Sequence, residues 1–247
     1  MNPTAAILVI GDEILSGRTK DKNIGWIAER LTELGIQLVE ARVIADVQQT
    51  IIDNVLSLSD AHDYVFTSGG IGPTHDDITT QSVAAAFGVE VERNAEAMRR
   101  LLAHYKDTDI DFNEARQKMA DIPVGARLID NPVSAAPGFI LNNVYVMAGV
   151  PSILQSMFDG FADGLQGGTA PTRITVQCAT GEGNIATIMA DFGQQDGLSV
   201  GSYPWFKPGQ FGTAVVVTGL DKAQVEKAAK DICAAVIAAG FTAEVEA

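Results

Sequence analysis

The chain is short of cysteine, histidine and positive charge, and each shortage closes a class of function. Its 247 residues hold two cysteines, Cys178 and Cys233. There is no CxxC and no Cys/His cluster, so neither a disulfide framework nor a structural zinc site is legible. His62, His75 and His104 are too scattered for a His-based metal site. Lys and Arg number 17 against 31 Asp and Glu, for a formal charge of −14. Phosphate backbones and anionic membranes need a basic face, so neither a nucleic acid nor a membrane is expected as a partner. No apolar run approaches the roughly 18 residues of a membrane span. The opening segment has no basic n-region, and its apolar run, Ala5 to Ile10, covers six residues. No signal peptide is therefore expected, and the cytoplasm is the expected location. Walker A and GxGxxG motifs are absent, and Ser16 and Ser68 have no recognisable His partner. A small anionic ligand stays open, because backbone amides and metal ions override net charge locally.

Hydrophobic residues make up 47% of the chain, enough for a sizeable core. Strand and helix periods alternate. Ala5–Ile10 is a continuous apolar run of the buried-parallel-strand type. Residues 23–35 read as a helix, with Ile24, Ile27, Ala28, Leu31 and Leu34 on one face, Asn23 as N-cap and Gly35 as the stop. Ile36–Ile44 and Tyr64–Thr67 read as strands, with a helix over Ile51–Leu58 between them. Helices are expected at Gln81–Phe87, over 95–105 and from Pro151. Strands are expected at Arg127–Ile129, Phe139–Leu141 and Val144–Met147, the last two joined by Asn142-Asn143. A Gly/Pro-rich stretch at 164–172 reads as a linker between a domain of residues 1–163 and a small one of residues 173–247. The small unit reads strand (174–179), helix (184–192), strands (198–203, 213–218), helix (222–239) and strand (242–246). That is a βαββαβ, ferredoxin-like pattern, with Asp221 and Gln224 resembling a capping box.

In alternating β/α sheets, ligands bind beyond the carboxyl ends of strands. Two long segments fall at such ends. Thr67-Ser68-Gly69-Gly70-Ile71-Gly72-Pro73-Thr74-His75-Asp76-Asp77-Ile78-Thr79 packs three glycines into four positions, which permits a tight turn whose amides cradle an anion. Asp76 and Asp77 then lie beside a phosphate site, an arrangement that calls for a shared cation. Mg²⁺ takes one or two carboxylates plus substrate phosphates. The same residues also make an ordinary turn with Asp capping the next helix. The second segment, Gly11-Asp12-Glu13-Ile14-Leu15-Ser16-Gly17-Arg18-Thr19-Lys20-Asp21-Lys22-Asn23, gathers acids and hydroxyls after the first strand. Its bland alternative is a charged loop in which Asp21 or Asn23 caps a helix. Asp46 ends the second strand. Ala136-Pro137-Gly138-Phe139 and Gly149-Val150-Pro151 are small-residue turns.

Together, in order and spacing over residues ~4 to 163, these motifs resemble the CinA-type branch of the molybdopterin-binding (MogA/MoaB-like) domain superfamily. The small domain, including Gly201-Ser202-Tyr203-Pro204, resembles the one that follows in CinA proteins. The resemblance implies a three-layer α/β domain with a mixed, mainly parallel sheet. It also implies two chemistries: metal-dependent hydrolysis of dinucleotide diphosphates such as ADP-ribose or FAD, or molybdopterin binding and adenylylation with ATP. A non-catalytic nucleotide- or pterin-binding module is the third reading. Asp77 matches an acid of the cofactor-biosynthesis branch and Asp46 matches its other important aspartate. Asp76 stands where that branch carries Arg, which favours hydrolysis. The residues expected to be catalytic are therefore Asp77, Asp46 and Asp12. The ligand is expected at Gly11, Glu13, Ser16, Asp21, Asn23, Ser68, Gly69, Gly70, Gly72, Thr74, Pro137, Gly138, Gly149 and Pro151. The expected cofactor is a divalent metal, Mg²⁺, Mn²⁺ or Co²⁺, at Asp76 and Asp77. The expected partner is a small nucleotide or pterin, in a homo-oligomer. The family's nicotinamide-mononucleotide deamidase activity belongs to a further domain with no counterpart in these residues, and is expected to be absent.

Overall fold

The computed structural model describes residues 2–106, 108–193 and 195–246. The chain divides into two units, Met1–Gly168 and Thr169–Ala247. In the first unit the chain runs β1 (Thr4–Ile10), α1 (Asp12–Leu15), α2 (Asn23–Glu33), β2 (Gln37–Ile44), α3 (Gln48–Ala61), β3 (Tyr64–Ser68) and α4 (Thr79–Ala86). It continues with β4 (Val91–Arg93), α5 (Ala95–Tyr105), α6 (Glu114–Gln117), β5 (Asp121–Pro123), β6 (Arg127–Ile129), β7 (Gly138–Leu141), β8 (Val144–Met147) and α7 (Pro151–Asp159).

The apolar run of β1 is buried on both faces, as a central parallel strand requires. Ala6, Leu8 and Ile10 pack with Ile51, Val55 and Leu58 of α3, Val83 of α4 and Leu101 of α5. Ala5, Ile7 and Val9 pack on the opposite side with Ile27 and Leu31 of α2 and with Leu154, Met157 and Phe158 of α7. Each large side chain buried this way contributes about 1.5–3 kcal/mol. The result is three layers, helices on either side of a sheet ordered β2-β1-β3-β8-β7-β6. The first four strands in that order are parallel, β7 runs antiparallel to β8, and β6, antiparallel to β7, points the same way as the first four. Asn142 turns the β7–β8 hairpin at φ 54°, while Asn143 Nδ2 donates to Ser59 O and His62 O at 3.0 and 2.8 Å. Because β2 and β3 flank β1 on opposite sides, the strand order reverses there, and the carboxyl ends of β1 and β3 open a crevice.

Several expectations need correction. Asn23 does not cap α2: it is the first helical residue and is buried, and Asp21 Oδ1 accepts the Ile24 N–H at 2.9 Å instead. Residues 12–15, read as loop, form the short α1. The pair β4–β5 was not foreseen, since three-residue strands carry too little periodicity to read. Residues 164–168 are not free linker. Gln166 N–H donates to Tyr64 Oη at 3.0 Å and Gly168 N–H to Leu34 O at 3.1 Å, which ties them to the first unit.

The second unit runs β9 (Thr172–Cys178), α8 (Ala186–Gly193), β10 (Leu198–Lys207), β11 (Gln210–Gly219), α9 (Lys222–Ala238) and β12 (Ala243–Val245). Its sheet is wholly antiparallel in the order β10-β11-β9-β12, the order of a ferredoxin-like βαββαβ unit. Val225, Ala228, Ala229, Ile232 and Val236 of α9 recur at helical spacing and cover Val176, Cys178, Val215 and Val217. Asp221 Oδ1 accepts the Ala223 and Gln224 amides, but the box is half formed, because Gln224 Nε2 donates to Asp196 O. The strand expected at 198–203 runs on to Lys207 as β10, with Trp205 Nε1 donating to Gln177 Oε1 at 3.0 Å.

Candidate functional site

Strand ends build the site. Gly11, after β1, donates its N–H to Ile44 O at the end of β2 at 3.1 Å, and Gly69, after β3, donates to Met147 O at the end of β8 at 3.2 Å. The parallel register thereby brings four loops together, although they come from residues 11–13, 46, 69–77 and 149–151.

The loop after β3 has little freedom. Gly69 has φ 107°, and a Cβ there would lie 2.2 Å from Ile10 O; Gly70 has φ 71°, and a Cβ there would lie 2.0 Å from Thr79 Oγ1. Only glycine tolerates both demands. The Thr79 hydroxyl donates to Gly69 O and the Thr79 N–H to Gly70 O, each at 3.0 Å. Asp77 Oδ2 accepts the Thr74 N–H at 2.9 Å and also the Thr74 hydroxyl. Lys118 Nζ donates to Thr74 O at 2.9 Å and to Asp77 O at 2.8 Å. With the carbonyls of Gly69, Gly70, Thr74 and Asp77 held, the loop leaves the amides of Gly70, Ile71 and Gly72 without a partner among the described residues.

Facing this loop, Asp46 is half-buried and its Oδ2 accepts the Asp12 N–H at 2.9 Å. Burial pushes the Asp46 carboxyl above its usual range. The Asp12 N–H opposes that rise, while the charges of Asp12, Glu13 and Asp76 reinforce it.

A cleft of about 530 Å³ lies over these ends. Of the residues expected from sequence, Gly11, Glu13, Asp46, Gly69, Gly70, Gly72, Thr74, Asp76, Asp77, Gly149 and Pro151 line it. The others do not. Asp12 is exposed and contributes its backbone amide to Asp46. The exposed Ser16 hydroxyl donates to Glu13 O at 3.3 Å, and Asp21 caps α2. Asn23 and Ser68 are buried, with Asn23 Nδ2 donating at 2.8 Å to both Ser68 Oγ and Gly149 O. Pro137 borders a void of about 10 Å³ beside Gly72 and Asp77. Gly138 is buried in β7, where a Cβ would lie 2.2 Å from Val146 O.

Sequence reading missed Thr19, Met119, Asn131, Ser134 and Ile153 in the lining, and Lys118 behind the loop. Asn131 shapes a wall of the cleft. Its Oδ1 accepts the Val133 and Ser134 amides at 3.1 Å each, and its Nδ2 donates to Ser134 Oγ and Ala136 O at 2.8 and 2.7 Å. Asn131-Pro132 is a turn dipeptide, the signal that could have found this wall. Nothing in the spacing connects Lys118 to a loop 41 residues earlier.

The charged residues lining the cleft are Glu13, Asp46, Asp76 and Asp77, all acidic, and no Lys or Arg lines it among the described residues. The compensating polarity is backbone. Besides the loop amides, α7 starts at Pro151 with no side-chain cap, so its positive end meets the cleft. The acids offer hard oxygen donors with no His or Cys among the described lining residues, the donor chemistry of Mg²⁺-type cations. Among the described residues, no three His, Cys, Asp or Glu side chains converge into a protein-only metal cage.

Comparison with known proteins gives two matches along the chain. Residues 6–166 match the family described as "probable molybdopterin binding domain", and residues 172–244 match the FAD synthase middle domain. The chain is 37% identical over 160 residues to a CinA-like protein of Sulfurihydrogenibium sp., covering 62% of this chain and 40% of that protein. It is 32% identical over 240 residues to a probable FAD synthase of Caenorhabditis briggsae, covering 87% of this chain and 46% of that protein. Among solved structures, the protein CinA of unknown function from Thermoplasma acidophilum is 31% identical with a TM-score of 0.61, covering 66% of this chain and 97% of that one.

Proposed function

This chain belongs to the probable molybdopterin binding domain family, and from that premise we propose that it hydrolyses the diphosphate linkage of a dinucleotide of the ADP-ribose or FAD type with a divalent cation. The observation that carries the reading is the composition of the cleft. Among the described residues, it sets unpartnered loop amides and the α7 N-terminus, which suit phosphate oxygens, against four acids and no basic lining residue. An anion enters such a cleft at reasonable cost only if a cation stands between it and the carboxylates.

Asp76 and Asp77 are the residues to hold that cation, with Glu13 within the same acidic wall. When bound, the cation supplies charge neutralisation at the diphosphate and eases ionisation of water. The Gly70, Ile71 and Gly72 amides hold the diphosphate oxygens. Asp46 suits the proton acceptor, because burial and neighbouring charges raise its proton affinity towards the range useful for base catalysis. The Asp12 amide fixes its Oδ2. Water attacks one phosphorus, its proton passes to Asp46, and the bridging P–O bond breaks to leave two monophosphates.

A second reading, pterin binding with adenylylation from ATP, draws support from the family description. Asp76 weighs against it, because an acid there repels a phosphorylated pterin. The deciding experiment incubates the full-length protein with ADP-ribose, FAD or NAD and with Mg²⁺, Mn²⁺ or Co²⁺, and separates products by chromatography. AMP with ribose 5-phosphate or FMN, formed only with metal, is the expected result. Tight binding of a dinucleotide without products leaves a binding module. Adenylylated pterin from ATP, without dinucleotide cleavage, establishes the second reading.

A further inference from the structure

We infer that Lys118 is the positioning residue that holds the glycine-rich loop in its anion-binding conformation. Lys118 sits in a 3₁₀ turn, Lys118–Ala120, directly before β5. Its ammonium forms no ion pair among the described residues, although Asp77, Glu114 and Asp121 line the same small hollows as Lys118. Asp121 and Glu114 are taken by Arg93, and Asp77 Oδ2 is taken by the amide and hydroxyl of Thr74. Lys118 donates instead to two main-chain carbonyls, Thr74 O at 2.9 Å and Asp77 O at 2.8 Å. A cation bound to carbonyls in preference to nearby carboxylates orients peptide planes.

In a trans peptide the carbonyl and the following N–H point in opposite directions. Drawing Thr74 O and Asp77 O toward Lys118 therefore turns the His75 and Ile78 amides away from it. Neither amide has a partner among the described residues. Lys118 does not itself line the main cleft, whereas Thr74, Asp76 and Asp77 do. It works from behind, adding positive potential beneath a loop whose exposed side carries acids. This inference rests on the reading of the cleft as a diphosphate site, and adds how that site is kept in shape.

The test uses the full-length protein and its Lys118→Met and Lys118→Arg variants. Two measurements are made: hydrogen exchange of the segment 70–79 without ligand, and calorimetric binding of ADP-ribose with Mg²⁺. Removing two charge-assisted hydrogen bonds should speed loop exchange and weaken ADP-ribose by about tenfold or more in Lys118→Met. Exchange in β1 and β3 should stay unchanged. Lys118→Arg, which keeps the charge and the donors, should recover most of both effects. Loop exchange in Lys118→Met equal to the unsubstituted protein overturns the inference. So does faster exchange with unaltered ADP-ribose affinity, or an Arg variant as impaired as the Met variant. If the unsubstituted protein binds no ADP-ribose, the diphosphate reading falls, and the exchange data alone decide whether Lys118 holds the loop.

Discussion

Asn23 Nδ2 donates to Ser68 Oγ and to Gly149 O, both at 2.8 Å, so one buried side chain joins the start of α2, the end of β3 and the turn before α7. Asn23→Ala leaves the Gly149 carbonyl and the Ser68 hydroxyl without this donor inside the protein. Leaving buried polar groups unpaired costs about 1–3 kcal/mol. Urea unfolding at neutral pH should show that loss as a lower midpoint with an unchanged slope. An unaltered midpoint would mean that water replaces the amide without penalty.

Asp46 fixes the sign of one pH dependence. Its folded carboxyl binds protons more tightly than the reference value of 3.8, chiefly through burial. Between 3.8 and the raised value the folded state holds more protons than the unfolded state, so this group's contribution to stability falls as pH rises through that window. Above the window the cost of the buried charge is constant. Asp46→Asn removes the charge and keeps an oxygen for the Asp12 N–H. Its stability relative to the unsubstituted protein should therefore rise from acid to neutral pH. Denaturant titrations at several pH values measure this, and a relative stability that falls with pH would refute the assignment. Turnover should be lost in the same variant.

Gly69→Ala should cost far more than its one added methyl suggests. The residue adopts φ 107°, and the new Cβ would lie 2.2 Å from Ile10 O, a backbone atom of a buried strand that cannot move aside. Backbone strain and overpacking together cost about 3 kcal/mol or more. Gly17→Ala is the control: it also has positive φ, at 72°, but nothing lies within 4 Å of the new Cβ. That substitution should cost about 1–2 kcal/mol. Equal losses in the two variants would mean that the crowding at Gly69 relaxes.

The parts of this site legible in the sequence are those made of consecutive residues. Gly69-Gly70-Ile71-Gly72 and Asp76-Asp77 announce a cradle and acids at one strand end, and both reach the cleft. The apolar run Ala5–Ile10 announces the central strand, and helical spacing announces α2 and α9. What stayed hidden depends on pairings between distant residues. Asn23 has the residue type and position of an N-cap, and only packing against Ser68 and Gly149 turns it into a buried bridge. Asp12 follows the strand as a ligand would, yet its amide rather than its carboxylate reaches Asp46. Lys118 belongs to a segment with no motif of its own.

Asp77→Asn should lower turnover at least about a hundredfold, equivalent to about 2.7 kcal/mol of transition-state stabilisation. The remaining amide oxygen can still accept the Thr74 N–H, so the loop keeps its staple and the unfolding midpoint should move little. Steady-state rates over a metal titration separate the two effects. Near-normal turnover at saturating metal would remove Asp77 from the proposed cation site.

A chain ending at Gly168 should fold and keep ligand binding, whereas one ending at Asp163 should be less stable. Every described residue lining the cleft precedes Gly168. The residues between the two end points are tied to the first unit: Gln166 N–H donates to Tyr64 Oη at 3.0 Å, Tyr64 Oη donates to Gln166 O at 3.3 Å, and Gly168 N–H donates to Leu34 O at 3.1 Å. Leu165 packs at the edge of the apolar cluster that covers one face of the sheet. Losing these contacts removes hydrogen bonds worth about 1 kcal/mol each, with the apolar contact in addition. Side-by-side urea unfolding of the two shortened chains, with ADP-ribose titration of each under the same metal conditions, makes the comparison. Equal stability would return 164–168 to the status of a free linker. Loss of ADP-ribose binding in the folded Gly168 chain, where the full-length protein binds it, would mean that residues beyond Gly168 contribute to the site.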